Sequence, residues 1–276
     1  MQKNDHAMAA SRATGKKPEE GIWETAKVIV QALAIAFFVR TFFFQPFNIP
    51  SSSMYPTLKI GDYLFVSKLS YGYGKYSFNF SLGGYGEPFI KCCPVDFPGR
   101  KVLAELPERG DVAVFKLPTN TDIDYIKRVI GLPGDRIQMR DGVLHINGEA
   151  VQKQRIADYI DTNGEAGGRG GGTTTIPQFV ETLPNGVTYK VLDEDPQSVA
   201  DNTIEYVVPE NHYFMMGDNR DNSQDSRFLQ QVGYVPIENY VGRADMIFFS
   251  VAPQATLWKI WEWPLAIRWL RFFNFI

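Results

Sequence analysis

Residues Arg140–Val151 read RDGVLHINGEAV, and this stretch decides the fold class. Apolar and polar residues alternate along it, which is the pattern of a strand with one buried face. The Asn147-Gly148 pair is a favoured two-residue turn between antiparallel strands, because both turn positions need a positive φ. The stretch therefore predicts a β-hairpin.

Short apolar runs of the same kind recur between Gly61 and Ser250. They are bounded by Gly, Pro, Asn and Asp, and no long amphipathic helical pattern lies among them. These runs are YLFVSK, DVAVFKL, YIKRVIGL, GVLHING, IEYVVP and ADMIFFSV. We therefore predict a mostly β protein built on antiparallel sheet.

The most apolar stretch of the chain runs from Ile22 to Phe44. As a helix it would span about 34 Å, slightly more than the hydrocarbon core of a bilayer. Lys27 and Arg40 can extend toward the two interfaces. No small-residue cleavage site follows closely, so we predict one retained transmembrane helix rather than a removed signal peptide. A buried or interfacial helix is the alternative.

Basic residues give the orientation of this helix. Lys3, Arg12, Lys16 and Lys17 precede it, and Lys59 is the first basic residue after it. The positive-inside rule therefore predicts a cytoplasmic N-terminal segment and a body on the other side of the membrane.

The last 26 residues form an aromatic tail. Four of the five tryptophans lie there, mixed with basic residues, and Pro264 limits a continuous helix. Such a segment can lie in the membrane interface or pack on the body, and the sequence leaves both open.

Composition excludes several function classes. Hydrophobic residues are 44% and charged residues 21% of the chain, as in ordinary globular proteins. A net charge of −3 disfavours a nucleic-acid binder. The three histidines lie far apart and the two cysteines, Cys92 and Cys93, are adjacent, so no familiar zinc set exists and we predict no metal and no cofactor. Adjacent cysteines could close only a strained ring, which favours free thiols.

Three local sequences gain a meaning when taken together: PSSSMYPTL (Pro50–Leu58), DYIKRVIGLPGD (Asp124–Asp135) and MGDNRDNSQDSR (Met216–Arg227). Each alone has a plain explanation, as a turn, an edge-strand charge and a polar loop. The third is no contiguous calcium loop, because the sixth and twelfth positions from Asp218 are Ser223 and Leu229.

Together they supply a serine and a base for it. A serine hydroxyl is a poor nucleophile until a base takes its proton, and a lysine serves only when its amine is neutral. Burial must therefore lower the lysine pKa from about 10.4 to near 7. Strand alternation places Tyr125 and Val129 on the same face as Lys127, where they would desolvate its amine, and Arg128 on the other. The Ser53 backbone N–H and the Ser51 hydroxyl are candidate donors to an oxyanion.

These three segments, with GDYLFVSK (Gly61–Lys68) and RGDVAVFK (Arg109–Lys116), resemble bacterial signal peptidase I, the Ser–Lys leader peptidase, in order and spacing. The resemblance implies a membrane-bound serine endopeptidase without a cofactor. It would remove signal peptides from exported preproteins after small residues at the first and third positions before the cut, the Ala-x-Ala type.

The resemblance also implies roles for single residues. Ser53 matches the nucleophile and Lys127 the general base. Ser51 matches the residue that completes the oxyanion hole beside the Ser53 amide, and Ser223 matches the serine that orients the lysine amine. The implied structural support comes from Asp218, Asp225 and Arg227, the last two as an ion pair. The implied walls of the substrate pocket are Met54, Leu58, Tyr125 and Ile126.

The implied architecture is an antiparallel β catalytic core with a smaller inserted β subdomain, preceded by one transmembrane helix. Its parts are a cytoplasmic segment (1–21), the anchor (22–44), the core in two parts (45–136 and 212–250), the inserted subdomain (137–211) and a membrane-proximal tail (251–276). The glycine-rich stretch Asn163–Thr175 is expected in the subdomain, away from the chemistry. The Ser70–Leu106 stretch departs from the best-known family pattern.

The implied partners are preprotein signal peptides, membrane lipid and, by functional coupling, the secretion machinery, with no nucleic acid. The implied location is the bacterial cytoplasmic (inner) membrane, crossed once, with the catalytic domain on the periplasmic side. Related Ser–Lys peptidases mature pilin-like proteins or act as self-cleaving repressors, and a tethered binding domain is a third alternative. The anchor and the lack of a helix-turn-helix region disfavour the repressor, and the presence of both Ser53 and Lys127 disfavours the binding domain.

Overall fold

The computed structural model of the chain describes residues 21–76, 80–82, 90–92, 105–167, 172–253 and 263–276. The predicted cytoplasmic segment, most of the Ser70–Leu106 stretch, the cysteine side chains and the tryptophans at 258 and 261 lie outside the described residues. The expectations about them stay predictions.

The predicted anchor is a single helix, α1 (Ile22–Phe42). Its 21 residues span about 31 Å, the thickness of a bilayer's hydrocarbon core. Apolar side chains surround its axis, whereas Glu24 and Arg40 lie in its first and last turns. The helix therefore has the length and composition to cross a membrane, and it ends two residues before the predicted boundary.

The body is built from short strands, as predicted. All the strand pairs among the described residues are antiparallel. In chain order the strands are β1 (Phe44–Asn48), β2 (Asp62–Ser67), β3 (Phe80–Leu82), β4 (Ile90–Cys92), β5 (Val112–Leu117), β6 (Asn120–Gly131), β7 (Arg136–Arg140), β8 (Val143–Ile146), β9 (Glu149–Ala150), β10 (Gln152–Arg155), β11 (Tyr159–Asp161), β12 (Thr174–Ile176), β13 (Gln178–Thr182), β14 (Thr188–Leu192), β15 (Tyr206–Val207), β16 (His212–Met216), β17 (Val235–Pro236), β18 (Tyr240–Ser250) and β19 (Asn274–Phe275). A four-residue helix, α2 (Trp263–Ala266), precedes the last strand.

The largest sheet has the strand order β1-β2-β18-β5-β6-β16-β17, with β19 paired to β18. Within it β6 is central: Lys127 pairs with Ala113 of β5, and Arg128 pairs with both Val112 of β5 and Met216 of β16. Arg128 therefore has a neighbouring strand on both sides, whereas Lys127 lies where the pairing with β16 ends.

The hairpin predicted from Asn147-Gly148 is present between β8 and β9. Both turn residues have a positive φ, 55° and 86°, as the favoured turn requires. Strand β9 has only two residues, so the hairpin is shorter than the alternating pattern indicated. A second turn, Asp141-Gly142 (φ 47° and 72°), joins β7 to β8.

Strands β7 to β15 form smaller sheets of their own between β6 and β16. They nevertheless share one hydrophobic cluster with the large sheet, in which Ile137 and Leu144 pack with Ile130 of β6 and Phe214 of β16. Residues Val39–Ile276 form one compact unit. The division into a core and an inserted subdomain stays a prediction.

The described end of the tail, residues 263–276, packs on the body. Strand β19 pairs with β18, and Arg271 binds both carboxylate oxygens of the fully buried Asp62 at 2.9 and 2.5 Å. The Ser250 hydroxyl donates to the same carboxylate at 2.6 Å. Ile276 packs against the hydrophobic cluster of the body and Phe272 against Phe249 of β18, whereas Leu265 and Leu270 remain more than nine-tenths exposed. The segment therefore packs by polar and apolar groups and still presents two leucines outward.

We expect Asp62→Asn to lower the free energy of unfolding by about 3 kcal/mol. The change leaves the Arg271 guanidinium without the charge that compensates its burial. Denaturant unfolding of the detergent-solubilised chain measures the loss. Asp158→Asn is the control, because its ion pair with Arg155 is largely exposed and contributes less than about 1 kcal/mol. Equal effects of the two substitutions would contradict the interpretation.

Candidate active site

The segment PSSSMYPTL forms a loop between β1 and β2 that presents Ser53. The side chains of Met54 and Leu58, which follow the serine, are fully buried in a hydrophobic cluster with Leu64 and Val114. The Asn219 amide donates to the Ser53 carbonyl at 3.1 Å. The position of Ser53 is therefore fixed by the packing of the residues that follow it and by the backbone hydrogen bond from Asn219.

Lys127 and Ser53 are brought together although 74 positions separate them in the chain. The Lys127 Nζ lies 2.6 Å from the Ser53 Oγ and also donates to the Ile126 carbonyl at 3.0 Å. The lysine is 4% exposed, and its Nζ lies 5.2 Å from the centre of the Tyr125 ring. The predicted apolar surroundings of the amine are thus present.

Burial lowers the pKa of Lys127 from 10.5 to about 8. Asp225 and Asp218 act in the opposite direction, and Arg227 adds to the lowering. No carboxylate among the described residues is hydrogen-bonded to the amine, so desolvation prevails. At mildly alkaline pH a large fraction of the lysine is neutral and able to accept a proton.

The next residue, Arg128, lies on the opposite face, as alternation predicted, but it is buried rather than solvated. Its guanidinium binds Asp218 through two hydrogen bonds, at 2.8 and 2.6 Å, and the Gly110 carbonyl at 2.7 Å. The Thr57 hydroxyl donates to the same aspartate at 2.5 Å. Asp218 therefore connects β6 to the serine loop. This contact fits the structural role that the resemblance implied for Asp218.

Asp225 and Arg227 form the predicted ion pair, with two hydrogen bonds of 2.8 and 2.9 Å in the interior. Burial alone would raise the pKa of Asp225, but Arg227 holds it below its ordinary value. The carboxylate also accepts the Gly217 amide at 3.0 Å. Gly217 must be glycine, because a Cβ there would lie 2.2 Å from the Ser223 Oγ and 2.6 Å from the Ser53 carbonyl oxygen.

Ser223 is buried beside the pair, but the hydrogen bond by which it was predicted to orient the lysine amine is absent. Its hydroxyl lies beside the Asp225 carboxylate and helps to lower the pKa of that group. The reason is the position of the hydroxyl, which lies against Gly217, while the Lys127 amine contacts Ser53 and the Ile126 carbonyl.

Ser53 and Lys127 line a cleft of about 630 Å³. Its described lining consists of Pro50, Ser51, Ser53, Ile123, Asp124, Tyr125, Ile126, Lys127, Asp221, Asn222, Ser223, Gln224, Phe228 and Gln231. Ser51 is exposed at its rim, while Tyr125 and Ile126 form a wall, as predicted. Met54 and Leu58 do not line it, which corrects their predicted placement; they are core residues beneath it. Five further residues that line the cleft were not among the predicted site residues: Asp221, Asn222, Gln224, Phe228 and Gln231.

The glycine-rich stretch was expected away from the chemistry, but the first of its two described parts, Asn163–Gly167, contradicts this. The Ala166 carbonyl accepts hydrogen bonds from the side chains of Asn219 at 2.7 Å and Asn222 at 3.2 Å. The Asn219 side chain also donates to the Ser52 carbonyl, and the Asn222 side chain donates to the Ser52 hydroxyl. Asn219 and Asn222 thus link this stretch to the serine loop. The sequence of the segment that contains them was typical of a polar loop and did not predict this role.

Comparison with known proteins identifies the family of the chain. Residues 22–249 match the family model described as signal peptidase, peptidase S26. The chain belongs to this family. The peptidase is accordingly a serine endopeptidase. It is 38% identical over 262 residues to a signal peptidase I of Rickettsia typhi and 37% identical over 259 residues to one of Rickettsia prowazekii, covering 88% of this chain and 89% of each relative.

A crystal structure of a signal peptidase I from Enterococcus faecalis V583 is also similar. It is 27% identical, covers 50% of this chain and 97% of that chain, and superposes with a TM-score of 0.29.

We expect Lys127→Met to stabilise the peptidase at pH 7 by about 3 kcal/mol. Because the pKa of Lys127 is lowered from 10.5 to about 8, a protonated Lys127 destabilises the folded chain. The cost is about 1.4 kcal/mol for each unit by which the pKa is lowered. Wild-type stability rises between those pH values, because there the unfolded chain holds a proton that the folded chain has lost. The gain from the substitution is therefore full below pH 8 and disappears as the pH rises through 10.5.

Denaturant midpoints at pH 7 and pH 10.5 measure this difference. Lys190→Met is the matched control, because Lys190 is exposed and its replacement removes no buried charge. A Lys127→Met gain of the same size at both pH values would show that packing, not desolvation of the amine, is responsible.

Proposed function

We propose that the peptidase removes signal peptides from exported preproteins with a Ser53–Lys127 dyad and cuts after small residues, the Ala-x-Ala type. The observation that supports this most is the 2.6 Å contact between the Lys127 amine and the Ser53 hydroxyl, in a buried site that opens into a cleft. Family membership supports the substrate class, and the dyad supplies the chemistry.

In the proposed reaction the neutral Lys127 amine takes the Ser53 proton while Oγ attacks the scissile carbonyl carbon. The carbonyl oxygen becomes an oxyanion, for which the Ser53 amide and the Ser51 hydroxyl are the proposed donors. The lysine then gives its proton to the leaving amine as the C–N bond breaks. A water molecule, deprotonated by the same amine, hydrolyses the acyl-enzyme and restores both side chains.

Preference for small residues follows from the packing beneath the serine. Met54 and Leu58, which follow the proposed nucleophile, are fully buried in a packed hydrophobic cluster. Tyr125 and Ile126 limit the cleft from the side. A large side chain before the scissile bond would have to displace packed core atoms, at a cost of about 1–3 kcal/mol or more.

The location we propose is the bacterial cytoplasmic membrane, crossed once by α1. The basic residues before the helix put the N-terminus in the cytoplasm and the catalytic body on the periplasmic side. The exposed side chains of Leu265, Trp269 and Leu270 supply an apolar contact for lipid. A peptidase so placed acts where preproteins leave the secretion machinery, to which we propose a functional coupling.

We expect Ser53→Ala and Lys127→Arg each to lower kcat by about 10⁴-fold or more, because the two residues act as a unit and arginine stays protonated. The assay uses detergent-solubilised full-length chain and a preprotein whose leader ends in Ala-x-Ala, with the new N-terminus identified by mass spectrometry. Lys190→Ala, an exposed lysine, is the control and keeps wild-type turnover.

The same assay tests specificity. Replacing the final alanine of the leader by phenylalanine should abolish cleavage at that bond. Wild-type cleavage of the phenylalanine precursor would refute the small-residue preference, and turnover by Lys127→Arg within tenfold of wild type would refute the lysine base.

The pH profile is a separate prediction. Because only the neutral amine accepts a proton, kcat/KM should rise about tenfold per pH unit below the pKa of about 8 and level off above it. Initial rates between pH 6 and pH 10 on the Ala-x-Ala precursor give the profile. A rise that levels off near pH 6 would assign the titration to another group.

A further inference from the structure

Three aspartates that the proposed reaction does not use converge beside the cleft. Asp193 follows β14, Asp201 lies between β14 and β15, and Asp221 belongs to the single 3₁₀ turn Arg220–Asn222. One carboxylate oxygen of each lies within 4.8 Å of those of the other two. The sequence gave no sign of this, because the residues come from separate parts of the chain.

Four oxygens of this cluster are buried without a hydrogen-bond partner among the described residues: Asp193 Oδ1, both oxygens of Asp201, and Asp221 Oδ1. Asp201 is only 1% exposed. A buried carboxylate without a partner is strongly unfavourable, and such groups are normally paired or bound to a metal. The orphaned Asp201 carboxylate, next to two others, is thus a second observation that points to a ligand.

The remaining oxygens of the cluster are already held by protein groups. The Lys153 amine binds Asp193 Oδ2 and the Gly142 carbonyl, and the amides of Glu194 and Asp195 donate to Asp221 Oδ2 at 2.7 and 2.9 Å. These contacts fix two of the carboxylates and leave their other oxygens free.

The charge of the cluster is only partly compensated. The Arg227 guanidinium also acts on Asp201; it binds Asp225 through Nε and Nη2, and its Nη1 is buried without a hydrogen-bond partner among the described residues. With Asp225 and Arg227 included, four carboxylates face two cations, Lys153 and Arg227. Burial, and then the neighbouring Asp193 and Asp221, raise the pKa of Asp201 to about 6. The excess is negative, so the missing partner is a cation.

We propose that Asp193, Asp201 and Asp221 bind a calcium ion. Calcium takes oxygen ligands at 2.3–2.6 Å in flexible geometry, so two oxygens on opposite sides of it lie about 4.6–5.2 Å apart. Because the three oxygens lie within 4.8 Å of one another, all of them can reach one calcium ion, whereas magnesium demands near-ideal octahedral geometry and gives up its water reluctantly. Water completes the coordination.

The ion would connect the loop between β14 and β15 to the rim of the cleft. Asp221 precedes Asn222, whose amide binds the Ser52 hydroxyl next to the nucleophile. None of the three aspartates contacts Ser53 or Lys127, so the ion stabilises the rim without entering the reaction.

Calcium binding is measured on full-length peptidase in detergent, stripped of metal by a chelator, with isothermal titration of CaCl₂ and thermal unfolding. We expect one ion per chain, a Tm that rises with calcium concentration, and a weaker response to MgCl₂. Asp201→Asn, which removes the charge and keeps the shape, should bind at least tenfold more weakly. Asp158→Asn, in an exposed ion pair, is the matched control and should bind like wild type.

Absence of calcium binding by the folded wild type would overturn the proposal, and so would equal binding by wild type and Asp201→Asn. Asp193→Asn provides a second variant if Asp201→Asn fails to fold. Because binding is measured without substrate, the result is independent of the proposed cleavage specificity.

Discussion

Lys127 and Arg128 are consecutive residues of β6, and both are buried. An arginine cannot lose its proton inside a protein, so Arg128 needs a carboxylate, and Asp218 supplies both oxygens. A lysine can lose its proton, and Lys127 is given a serine hydroxyl and a carbonyl instead of an ion pair. Strand alternation makes this possible by sending the two side chains to opposite faces. Strand β6 therefore carries Arg128, whose permanent charge holds Asp218, and Lys127, whose amine can become neutral as the proposed reaction requires.

The segment from Gly217 to Arg227 connects most of the parts around this strand. Asp218 binds Arg128, Asn219 binds the serine loop, and Arg220 forms a bidentate, fully buried pair with Glu181 of β13. Arg227 closes the segment on itself through Asp225. Because these bonds share one short backbone, substitutions within the segment will not have additive effects.

Short sequence patterns correctly predicted the features that depend on neighbouring residues in the chain. Alternation gave the antiparallel strands, Asn147-Gly148 gave its turn, and the period of two gave the faces of Lys127 and Arg128. Contacts between distant residues were beyond such patterns, for Arg128 meets Asp218 across 90 positions and Asn219 meets Ser52 across 167. The expectations for Ser223, for Met54 with Leu58, and for the glycine-rich stretch were therefore wrong in detail, because each depends on which distant segment fills the neighbouring space.

The bond between Asp62 and Arg271 joins residues 209 positions apart. A ribosome adding about 5–20 residues per second delivers Arg271 roughly 10–40 s after Asp62. During that interval the aspartate at the start of β2, just after the serine loop, lacks its guanidinium partner. A growing chain therefore passes through a stage in which Ser53 has been synthesised but Arg271, which holds the neighbouring strand, has not.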